Sequence, residues 1–90
     1  MDKAQILTEA YEAITKDRAA THGDAEKSFQ KIADYWSVYL NWELTPFDVA
    51  QMMVLFKIAR AQGNPSHADN FVDQVGYAAL AGEIADGMQP

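Results

Sequence analysis

The sequence predicts an all-α fold, a four-helix bundle-like domain. Apolar residues recur at helical spacing through most of the chain, and no stretch of useful length alternates with period two. Three short breaks punctuate it: Thr21-His22-Gly23-Asp24, Trp42-Glu43-Leu44-Thr45-Pro46 and Gly63-Asn64-Pro65-Ser66. Ninety residues, with no repeat, linker or low-complexity tract, fit one domain spanning 1–90.

The first helix is expected over about residues 2–18, with Asp2 as N-cap. Ile6, Leu7, Ala10, Tyr11, Ala13 and Ile14 share its apolar face. Glu12 and Lys16 form an i, i+4 pair in the favourable order. Gly23 suits the end of a helix, and Asp24 suits the N-cap of a second helix over 25–41. Phe29, Ile32, Ala33, Trp36, Tyr39 and Leu40 make its apolar stripe. Trp36, Trp42, Tyr35 and Tyr39 are read as core or as a dimer interface.

Thr45-Pro46-Phe47-Asp48 is a strong start for the third helix, 46–61: Thr caps, Pro takes the first position and Asp completes a capping box. That helix is apolar almost all round, which marks it as the central, most buried one. Ser66 is expected to cap the fourth helix, 67–86, with Asp69 at N3. Its face of Phe71, Val72, Val75, Ala78, Ala79 and Gly82 contains small residues that admit a close neighbour.

With 7 basic and 13 acidic residues the net charge is −6. The average field repels duplex nucleic acid, and no basic cluster offsets it. Cysteine is absent, which excludes disulfides and thiolate zinc sites and fits a reducing cytoplasm. No apolar run reaches membrane-spanning length, and Met1-Asp2-Lys3 opens an amphipathic pattern, not a signal peptide. A chain this short buries a modest core, so a homodimer is expected.

Two features could carry chemistry. Asp69, Asp73 and Tyr77 stack at i, i+4 and i+8 on the fourth helix, and two carboxylates one turn apart need a cation. Lys57 and Arg60 sit in the most apolar run, Met52 to Arg60, and an unpaired buried cation is costly. A short loop makes these helices antiparallel neighbours, so the two sets are natural partners. They form either a structural ion-pair network or a site in which Lys57 or Arg60 holds a phosphate and the aspartates hold Mg²⁺. Asn70 could donate to a base or ribose, or be solvated. Tyr77 could stack on a ligand or lie in the core. His22 and Glu26 flank a helix start that could contribute ligands or contact phosphate, or serve only as a turn and cap.

The elements His22-Gly23-Asp24, Met52-Met53 with Lys57 and Arg60, and Asp69-Asn70 with Asp73, Gly76 and Tyr77 resemble a family of small phage and prophage proteins grouped as a domain of unknown function. More distantly, the pattern is similar to the all-α nucleotide pyrophosphohydrolases of the MazG type. The resemblance implies an oligomeric helical protein of the host cytoplasm that binds a nucleotide with Mg²⁺ and, as an enzyme, cleaves nucleoside triphosphates. Asp69, Asp73 and Glu26 would hold the metal, and Lys57, Arg60, Asn70, Tyr77 and His22 the nucleotide. The Glu-x-x-Asp motif of those enzymes matches Asn70-Phe71-Val72-Asp73, with Asn for the first acid, or Asp69 with Asp73 at a different spacing; their Glu-Glu-x-x-Glu helix has no counterpart beyond Glu26. The alternative is a non-enzymatic phage protein that binds a host protein through an acidic surface and the aromatics around Trp42.

Overall fold

The computed structural model describes residues 1–17 and 24–88. Among them are four α-helices and no strand: α1, Lys3–Glu12; α2, Ala25–Leu40; α3, Pro46–Gly63; and α4, Asp69–Gly87. Alpha1 continues into a π-helical turn, Ala13–Asp17. Each helix start follows from local chemistry. The Asp2 carboxylate accepts from Gln5 N–H at 2.9 Å while the Gln5 side chain accepts from Asp2 N–H at 3.0 Å, a closed capping box. Asp24 Oδ1 accepts from Glu26 and Lys27 N–H at 2.8 and 3.3 Å. Thr45 and Asp48 close a second box, with Pro46 at the first helical position.

The end of α2 is a Schellman motif. Asn41 adopts the left-handed conformation at φ 54°, its N–H donates to Val38 C=O, and Trp42 N–H donates to Ser37 C=O. Ser37 reinforces the corner: its hydroxyl donates to Ala33 C=O at 2.6 Å and accepts from Leu44 N–H at 2.8 Å. This fixes the short connection into α3.

Two expectations need correction. Ser66 does not cap α4. Its hydroxyl donates to Asn64 Oδ1 at 3.1 Å, the helix begins at Asp69, and its N-cap, Ala68, offers no side-chain bond. The Asn64-Pro65-Ser66 turn, closed by His67 N–H to Asn64 C=O, takes the hydroxyl first. Nor is α3 the most buried helix. It buries Val49, Ala50 and Ala61 and exposes Leu55, Phe56 and Ile58. Alpha4 buries Asn70, Val72, Gly76, Leu80, Ala81 and Ile84. The reason is topological: α4 packs against α3, α1 and the π-helical turn, whereas α3 packs chiefly against α2 and α4. The approach of α1 is tight at Gly76, where a Cβ would stand 3.2 Å from Ile14 Cγ2.

The main core joins Phe29 and Ala33 of α2, Val49 and Ala50 of α3, and Leu80, Ala81 and Ile84 of α4. It therefore lies at one end of the α3–α4 hairpin. Lys57, Arg60, Asp69, Asn70 and Asp73 lie towards the other end, near the α3–α4 connection. Among the described residues no helix is long and apolar enough to cross a membrane.

Candidate functional site at the α3–α4 seam

Lys57 comes from the middle of α3 and Asp73 from the second turn of α4, and they meet as their antiparallel placement predicts. Lys57 Nζ lies 2.8 Å from Asp73 Oδ2. The lysine side chain is 17% exposed and the aspartate 38%, so the pair sits at the rim of the packed interior. It is partly shielded from water and sits between the two regimes measured for ion pairs. An exposed pair contributes roughly 0–1 kcal/mol, and breaking a fully buried one costs roughly 3–5 kcal/mol.

Arg60 does not join this pair. It is exposed, with Cζ 5.4 Å from the Phe56 ring centroid, and Lys57 Nζ approaches the same ring at 5.7 Å. One aromatic thus braces both cations, and each keeps donors free for an anion. Phe56 was not singled out from the sequence, although its i, i+4 spacing to Arg60 was a legible signal.

Asp69 is exposed in the first turn of α4, where a carboxylate complements the helix dipole. Asn70 is different. It is 4% exposed, the buried polar residue of the described chain, and its side chain has no hydrogen-bond partner among the described residues. Its backbone N–H donates to His67 C=O. A buried amide left without partners costs roughly 1–3 kcal/mol, so its presence calls for a reason. On α4, Asp69, Asn70, Asp73 and Tyr77 lie within one third of the helix circumference.

Tyr77 is part of the packing. It is half-buried against the core, its ring centroid 6.2 Å from that of Phe29 at an interplanar angle of 43°. Glu26 stands exposed in the first turn of α2. No group of three acids or histidines that could hold a metal forms among the described residues, so Glu26 does not complete a cluster with Asp69 and Asp73. His22 lies outside the described residues. A depression of about 290 Å³ along the start of α1, from Met1 to Glu9, contains none of these side chains.

The molecule is thus a small all-α domain with a charged seam between its last two helices. It belongs to the family described as a domain of unknown function, DUF6378, which matches residues 5–85. It is similar to the Gene 55 protein of Mycobacterium phage L5, 47% identical over 76 residues, or 83% of this chain and 49% of that protein. It is also similar to the Gene 55 protein of Mycobacterium phage D29, 40% identical over 79 residues, or 88% of this chain and 52% of that protein. The chain spans about half the length of these curated relatives. No solved structure matches it.

Proposed function

We propose that this phage-type domain binds a nucleotide with Mg²⁺ at the α3–α4 seam, in the host cytoplasm. The observation that carries the reading is Asn70, a buried side-chain amide with no partner among the described residues, beside a rim of charged groups. A buried polar group of this kind calls for an explanation, and a bound ligand supplies one. An amide both donates and accepts, which suits the edge of a base or a ribose hydroxyl.

The donor set fits a metal that arrives with phosphate. Mg²⁺ commonly takes one or two protein carboxylates and completes its shell with phosphate oxygens and water. Asp69 and Asp73, one turn apart, supply that number, and Glu26 is not needed. When bound, the ion would neutralise phosphate charge. Lys57 and Arg60 would provide the remaining positive charge, held in place by the Phe56 ring. The MazG-type enzymes draw their acids from two helices; here both come from α4, so the reading stops at binding and does not include hydrolysis.

Thermal denaturation with a panel of nucleoside triphosphates, with and without Mg²⁺, tests this. At ligand roughly 100-fold above its dissociation constant the native state gains about 2.7 kcal/mol, a rise in Tm on the order of 10 °C for a domain of this size. Asp73→Asn keeps a hydrogen bond to Lys57 but removes the charge, and should abolish the Mg²⁺-dependent part of the rise. A Tm unmoved by any nucleotide at millimolar concentration would sink the proposal. Product analysis in the same samples tests whether hydrolysis accompanies binding.

A further inference from the structure

The C-terminal half of α2 is apolar on two opposite faces. Phe29 and Ala33 occupy the core. Tyr35, Val38 and Tyr39, at i, i+3 and i+4, form a stripe on the far side, 69, 83 and 88% exposed, and Trp42, 74% exposed, follows just beyond the helix end. Of the four aromatics for which core and interface were both open from the sequence, Trp36 packs against the core, whereas Tyr35, Tyr39 and Trp42 lie outside it. The Schellman motif at Asn41 holds Trp42 to the end of the helix through its backbone, so the stripe is built into a rigid element.

We infer that this stripe docks against the same stripe of a second copy of the chain, in an antiparallel, two-fold arrangement. Composition supports a partner, since Tyr and Trp are the residues enriched at protein–protein interfaces.

Charge selects the occupant and its orientation. Two chains of net charge −6 repel, so self-association requires an uncharged contact, and the stripe provides one. Lys31 bounds its N-terminal end and Glu43 follows its C-terminal end. Antiparallel pairing sets Lys31 of each copy towards Glu43 of the other, whereas parallel pairing sets like charges together. Asp34, on the flank, is engaged by the Gln30 amide at 2.8 Å. An isologous contact of this kind closes after two copies and leaves no sticky edge.

Sedimentation of the purified chain across micromolar to millimolar concentration tests the inference. The expected species has twice the chain mass. Tyr39→Glu should weaken association roughly thirtyfold or more, with an unchanged far-ultraviolet circular dichroism spectrum. Lys31→Glu should weaken it as well, and adding Glu43→Lys should restore it. Leu55→Glu, on the exposed side of α3, should leave the dimer intact. A monomer at every concentration overturns the inference, including the case in which the stripe instead binds a host protein. A dimer indifferent to Tyr39→Glu, or one broken by Leu55→Glu, overturns it by placing the interface elsewhere.

Discussion

Asn70 and Asp73 are three residues apart on α4, and the structure treats them differently. Asp73 has its partner in Lys57, and that contact followed from sequence because neighbouring helices on a short loop must face each other. Asn70 is buried without one among the described residues, which no sequence pattern could show, since a polar residue next to a helix start reads equally well as solvated. A residue-scale prediction separates function from structure here. Asn70→Leu replaces an unsatisfied amide with an apolar group of similar shape. It should stabilise the free protein by about 1 kcal/mol in urea denaturation while removing the nucleotide-induced rise in Tm. Destabilisation by a similar amount would mean that the amide serves the fold.

Capping decides where the elements begin, and it was legible wherever the cap acts on its own helix. Asp2, Asp24 and Thr45 all bond as their sequence contexts predict. Ser66 is also a capping residue type and fails, because the turn that precedes α4 offers its hydroxyl a nearer partner in Asn64. The two cases predict opposite outcomes. Thr45→Ala should cost about 1 kcal/mol, since Asp48 N–H loses its acceptor, while Ser66→Ala should fall within about 0.5 kcal/mol of zero. Urea midpoints of the two variants check the pair. The same limit explains the misjudged burial of α3. An apolar helix signals that something covers it, but whether the cover is its own chain or another molecule is a tertiary fact. Leu55, Phe56 and Ile58 therefore face outward, while α4 takes the central place.

At the scale of the whole molecule, the all-α class follows from periodicity and break spacing, and both features depend on near neighbours in sequence. The packing of α1 on α4 does not. Helices α2 and α3 each meet the next one along the chain, so those contacts form with little loop closure. Alpha1 must reach across the two intervening helices to fit Ile14 against Gly76, where small clearance leaves no slack. Its docking is the step most exposed to thermal reversal, and α1 should behave as a separately opening unit. Native-state hydrogen exchange should register that as amides of residues 6–12 exchanging with a lower opening free energy than those of residues 76–84. Equal protection in the two segments would show that the first helix folds and unfolds only with the rest.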